Sequence, residues 1–207
     1  PRLRAVDQDQ PRVTGGDPRQ VREGAIPGAG VLGMWIFLAT LTVLFLASIV
    51  GYLVVRLKAT DWPPPGMPRL PAGLWLATLV LIAGSVTIHL ALRAIRSDER
   101  AASTRWLGMT TTLALTFLAI QSWNWWGLIR LHMTAASNLY AFTFFMLTGL
   151  HAAHVIGGVA LLAIVLSRSL RGRYGSSYYG GVTYAAMYWH FLDAIWLVLF
   201  AVMVVFA

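Results

Sequence analysis

Tyr188-Trp189-His190-Phe191-Leu192-Asp193-Ala194-Ile195-Trp196-Leu197-Val198-Leu199-Phe200 is the stretch whose reading decides the fold. It is almost wholly apolar, and it lies in a longer apolar run from about Val182 to Ala207. A run of roughly 20 such residues crosses a bilayer as a helix. Two residues break the pattern, His190 and Asp193, three apart and therefore on one helical face. Ionisable groups at membrane depth are expensive and normally face protein or a water-filled cavity. The face bearing His190 and Asp193 must therefore look toward partners elsewhere in the chain. His89, His151 and His154, the histidines inside other apolar runs, are the candidates.

Working outward, four more apolar runs precede this one: about Gly30 to Val55, Gly73 to Ile95, Trp106 to Ile129 and Asn138 to Leu166. None alternates polar and apolar residues, which argues against a transmembrane β-barrel. Helices satisfy their own backbone hydrogen bonds in lipid. The fold class expected is all-α, an integral membrane bundle of five transmembrane helices. Composition agrees: of 207 residues, 57% are hydrophobic and only 12% charged, against about 25% charged in soluble domains. There is no cysteine, which excludes disulfides and thiolate metal sites.

The connections are short and polar. Asp61-Trp62-Pro63-Pro64-Pro65-Gly66 holds three consecutive prolines, which cannot continue a helix. Arg96 to Arg100 and Arg168 to Gly181 supply two others. Residues 1–28 lack the apolar core of a signal peptide and read as a polar, basic extension, solvated or bound to a partner. The bundle domain is expected over 29–207.

The net charge is +8, but the basic residues fall between the apolar runs, which points to membrane topology and not to nucleic acid. Of the 16 Lys and Arg, all but Arg56, Lys58, Arg69 and Arg130 fall in the N-terminal extension, the second loop and the fourth loop. Positive charge marks the inside face, so the N-terminus is expected inside and the C-terminus outside. Trp62, Trp106, Trp123, Trp125 and Trp126 fall near predicted helix ends, where amphipathic rings settle at the membrane interface.

Three readings of the ionisable groups stand side by side. Inter-helix hydrogen bonds would fix packing, each contributing about 0.6 kcal/mol. A histidine–aspartate chain would handle protons. His151 and His154, at i and i+3, would ligate a metal ion or haem. No nucleophile–base pair, phosphate loop or dinucleotide fingerprint is visible. Gly157-Gly158 reads as a site of close helix packing.

Four motifs together carry a family resemblance. They are Leu32-Gly33-Met34-Trp35-Ile36-Phe37-Leu38-Ala39, Trp62-Pro63-Pro64, Gly149-Leu150-His151-Ala152-Ala153-His154-Val155-Ile156-Gly157-Gly158, and Tyr188 through Leu197. In this order they closely resemble subunit III of haem-copper oxidases, in its five-helix bacterial form, from about Gly30 onward. The resemblance implies an accessory subunit without a redox centre. Haem and copper would lie in partner subunits. It implies packing on oxidase subunit I, with subunit II and further supercomplex subunits nearby, and bound phospholipid. It also implies support of proton uptake and stability in a multi-pass protein of the bacterial plasma membrane. His89, His151, His154, His190 and Asp193 would form the polar intramembrane set, and Trp62, Trp189 and Trp196 would touch lipid or a neighbouring subunit. Two positions depart from the pattern: Leu41 and Asn124 stand where family members often carry acids. The alternatives are the related accessory subunit of a nitric oxide reductase and a haem b membrane anchor. A secondary transporter would show interrupted helices and inverted repeats, and neither is seen.

Overall fold

The computed structural model describes residues 29–66, 68 and 70–206. The N-terminal extension over 1–28, with its five arginines, and Arg69 lie outside the described residues. Among the described residues there are five helices and no strand: α1 (Ala29–Lys58), α2 (Gly73–Arg96), α3 (Arg100–Arg130), α4 (Leu139–Leu170) and α5 (Gly180–Val205).

Four of them, α1, α2, α4 and α5, are long and apolar enough to cross a membrane. The third is as long, at 31 residues, but less apolar. Its hydroxyls are largely self-satisfied. Thr110, Thr111, Thr112 and Thr116 each donate to the carbonyl four residues earlier, at 2.8 to 3.1 Å. Such back-bonding hides polar side chains against their own helix.

Helices α2, α3, α4 and α5 form a ring in which each packs on the next and α5 closes on α2. Helix α1 stands outside the ring, against α4 and α5. It buries one stripe, Leu38, Leu41, Phe45, Ile49 and Tyr52, spaced three and four apart as a single helical face requires. Its other faces are just as apolar, with Leu32, Trp35, Ile36, Val43 and Leu57 all exposed. A helix apolar all round belongs in apolar surroundings.

The chain reverses sharply between helices. Helices α2, α3 and α4 end alike. The N–H three residues past each helix reaches back five residues: Glu99 to the Ala94 carbonyl, Met133 to Leu128 and Arg173 to Arg168, at 2.9 to 3.0 Å. This is the Schellman arrangement, which needs a left-handed residue one position earlier. Those residues are Asp98, His132 and Gly172, with φ of 59°, 61° and 67°. At the start of α4 the Asn138 side chain accepts from the Ala141 N–H at 2.8 Å, an N-terminal cap.

Contacts at the ends establish which loops lie together. The Ser176 N–H donates to Asp98 Oδ1 at 2.9 Å, and the Thr104 and Ser169 hydroxyls are 2.7 Å apart. The α2–α3 and α4–α5 connections therefore share one end, with Arg93, Arg96, Arg100, Arg105, Arg168, Arg171 and Arg173. At the other end the Trp62 ring meets Tyr140 edge-on at 4.9 Å, and Arg56 Nε donates to the Phe206 carbonyl at 2.8 Å. That end carries Arg56, Lys58 and Arg130 among the described residues.

Candidate functional site

The ionisable residues expected as one polar cluster are divided between two seams of the bundle. One seam is α2 against α5. Ser85 Oγ and His190 Nδ1 are 2.6 Å apart, and the His89 and His190 ring centres lie 6.3 Å apart with the rings tilted by 54°. Asp193, one turn along α5 and only 6% exposed, lies beside the same serine. Neither of its oxygens makes a hydrogen bond among the described residues. His89 is exposed on the outer face of α2. It is therefore a surface group flanking His190, not an interior one.

The second seam is where α1 and α3 meet α4 and α5. His151 is fully buried. Its ring is enclosed by Trp196 at 4.9 Å, by the edge of Phe117 at 5.8 Å and by Phe45 at 6.3 Å. Neither ring nitrogen has a hydrogen-bond partner among the described residues. It is packed among aromatic rings. His154 Nδ1 lies 2.8 Å from the carbonyl of Leu150, and its ring is 5.0 Å from Phe45. The Tyr188 hydroxyl donates to the His154 carbonyl at 3.0 Å, tying α5 to α4. No hydrogen bond joins His89, His190 or Asp193 to His151 or His154 among the described residues, and no three His, Asp or Glu side chains converge as metal ligands there.

The tryptophans require a correction. Trp189 and Trp196 were expected at lipid or subunit contacts. Each is only 1% exposed and points into the bundle. Burial gains the full apolar area of an indole where its N–H and edges find a matching space. For Trp196 the match is Thr78, whose hydroxyl accepts from Nε1 at 2.9 Å, with Phe117 edge-on at 5.1 Å. For Trp189 it is the missing side chains of Gly84 and Gly158: a Cβ on Gly84 would meet Trp189 Nε1 at 3.1 Å, and one on Gly158 would meet Leu192 at 3.2 Å. Trp62 is half-buried in its loop, 5.8 Å from Tyr52 and 5.7 Å below the Arg56 guanidinium. Trp123 and Trp126 are exposed in the last turns of α3, and Arg130 stacks on Trp126 at 4.0 Å. That is the amphipathic pairing suited to an interface.

Sequence reasoning missed Ser85 and Thr78, the two α2 side chains that receive α5. Their signal was present but faint: Ala77, Thr78, Gly84, Ser85 and Ala91 are small residues recurring along one apolar helix, the pattern that lets membrane helices approach and bond. The two positions that depart from the acid pattern differ. Leu41 is a buried part of the α1 stripe. Asn124 is buried with its Oδ1 against Gly73 and its Nδ2 without a partner among the described residues.

These features define an α-helical membrane protein whose interior histidines and tryptophans lock helices together. The chain belongs to the cytochrome c oxidase subunit III family, whose model matches residues 18–207. It is 36% identical to the cytochrome c oxidase subunit 3 of Synechocystis over 84% of this chain and 74% of that protein. It is 33% identical to that of Thermostichus vulcanus over 86% and 87%, and 34% identical to that of Branchiostoma lanceolatum over 81% and 66%.

Proposed function

We propose that this chain is the accessory, non-redox subunit III of a haem-copper terminal oxidase. The observation that carries the reading is family membership across nearly the whole chain. In this reading the haems and copper sit in partner subunits, and the oxidase couples oxygen reduction to proton pumping. This chain packs on subunit I, lies near subunit II, holds phospholipid and sustains proton uptake and stability. Two observations support a packing role. His151 is buried against three aromatic rings, Phe45, Phe117 and Trp196. The one exposed cluster member, His89, stands at the edge of a serine–histidine bond between helices.

All five helices cross the membrane in this proposal, α3 included, because its threonines are bonded internally and the helices on both sides of it span. The N-terminus is inside and the C-terminus outside a bacterial plasma membrane. The seven arginines gathered at the α2–α3 and α4–α5 end support that orientation.

The test is purification through a tag on this chain in mild detergent, with an optical spectrum and identification of the accompanying subunits. Copper- and haem-bearing oxidase subunits are expected. A nitric oxide reductase in their place, or haem that stays on this chain after its partners are stripped, would overturn the proposal.

A further inference from the structure

Helix α1 packs on α4 and α5 but not on α2. Between α1 and α5 this leaves a groove of about 650 Å³, an ordinary size for a small-molecule site. Trp35 of α1 and Phe191 of α5 give it flat aromatic walls, with Met187 beside them. Apart from the Trp35 indole, its polar side chains are Thr42 and His190. The Thr42 hydroxyl donates to the Leu38 carbonyl at 2.9 Å and keeps its capacity to accept. His190 uses Nδ1 on Ser85 of α2, at 2.6 Å. The two nitrogens of an imidazole point nearly opposite ways, so Nε2 turns away from α2 while the ring lines the groove. Nε2 makes no hydrogen bond among the described residues. Where the Ser85 hydroxyl donates to Nδ1, Nε2 carries the proton and is a donor; where Nδ1 donates, Nε2 is an acceptor. His190 lies ten residues along α5 from Gly180. At 1.5 Å per residue that is about 15 Å, near the middle of a hydrocarbon core about 30 Å thick. A polar group without a partner at that depth is costly.

We infer that this groove binds an isoprenoid quinone, with a ring carbonyl accepting from His190 Nε2 and the ring lying against Trp35 and Phe191. The depth of the polar group selects the ligand. A phospholipid holds its polar atoms at the membrane surface and would bring only hydrocarbon to His190. A quinone carries its carbonyls on a flat, largely apolar ring and moves within the hydrocarbon. The reduced form is accommodated too, because a quinol hydroxyl donates to Nε2 in the other tautomer or to the Thr42 hydroxyl. The inference rests on the membrane placement proposed above, and not on which electron donor the oxidase uses.

The experiment uses the intact complex in native membranes. Two photoreactive probes with the same isoprenoid tail are supplied, an azidobenzoquinone and a carbonyl-free aryl azide, and the cross-linked peptides are mapped. The quinone probe is expected to label Trp35 to Thr42 and Met187 to Phe191 in clear excess over the other. His190→Asn places an amide where Nδ1 was, which keeps the Ser85 bond and removes Nε2. It should cut quinone labelling roughly fivefold, the factor of one neutral hydrogen bond. His190→Gln reaches the Nε2 position and should retain most of the labelling. Ala39→Phe starts from an exposed position in the groove wall and should block labelling with the complex still assembled. Equal labelling by both probes, equal loss in the two His190 variants, labelling indifferent to His190→Asn or to Ala39→Phe, or a partner helix that keeps both probes out would each overturn the site. Absence of the chain from the membrane fraction would instead refute the placement beneath it.

Discussion

Ser85 on α2 and His190 on α5 are joined side chain to side chain at 2.6 Å, across the seam that Trp196 and Thr78 also bridge. Side-chain bonds between membrane helices contribute about 0.6 kcal/mol on average and up to about 1.7. Ser85→Ala removes the partner without changing the helix. It should lower the resistance of the chain to denaturation in mixed micelles by that amount and leave the complex assembled. His190→Ala also deletes a ring that lines a groove with Trp35 and Phe191, so it should cost more and loosen retention on the complex. Equal unfolding free energies for wild type and both variants would refute a bonding role for the pair.

Trp196 carries two separable contributions. Its N–H bond to Thr78 is a single neutral hydrogen bond, worth about 1 kcal/mol. Its ring fills the space between Phe117 and His151, and emptying such a space costs about 3–5 kcal/mol. Thr78→Val should therefore be mild and Trp196→Ala severe, with subunit loss during purification. Subunit stoichiometry after detergent extraction distinguishes them. A Trp196→Ala complex as stable as Thr78→Val would show that the indole is not a core element.

Much of this was legible in the sequence, for identifiable reasons. Long apolar runs and triple proline announce membrane helices and their breaks, since hydrophobic length and missing N–H groups are local properties. The His190–Asp193 spacing likewise predicted a shared inward face, and Asp193 is buried there beside Ser85. What failed was partner assignment. Histidine depth along each helix is readable, but rotation about the helix axis depends on neighbours, so His89 turned outward and His151 turned into aromatics. The tryptophans failed for a related reason. An indole suits either an interface or a core, and only glycines on other helices, Gly84 and Gly158, decide for the core at Trp189. Helix ends were partly hidden too. Two of the three left-handed terminal residues are Asp98 and His132, so the glycine signal for a helix stop was absent.

Asp98 links the two connections at the arginine-rich end. The Ser176 N–H, and then Arg100, hold its carboxyl below the usual carboxylate range. A depressed value means that the link is fully present above the unfolded-state value and is lost as pH falls through the lower folded-state one. Amide exchange at Ser176 should thus be slow at neutral pH and quicken only under acid conditions. Asp98→Asn keeps an acceptor oxygen and tolerates the left-handed backbone, so it should remove the pH dependence while retaining much of the protection. Asp98→Gly keeps the backbone but lacks the acceptor, and should exchange fast at every pH. Identical profiles for the three proteins would rule out the carboxylate as the tie.

Gly157 and Gly158 are adjacent yet should respond oppositely to alanine. A Cβ on Gly158 would press on Leu192 at 3.2 Å and Tyr188 at 3.3 Å, between α4 and α5. Overpacking of that kind costs about 1–3 kcal/mol, because the seam must spread to admit the methyl group. Gly157 is exposed, and its added Cβ would meet only the Tyr188 hydroxyl at 3.6 Å, an ordinary contact. There alanine gains helix propensity, up to about 1 kcal/mol in water. Thermal dissociation of the purified complex should accordingly fall for Gly158→Ala and hold or rise for Gly157→Ala. The contrast isolates helix approach from propensity, since both substitutions add the same methyl to the same helix. A fall of the same size in both would mean that the α4–α5 distance is not set by the missing side chain at Gly158.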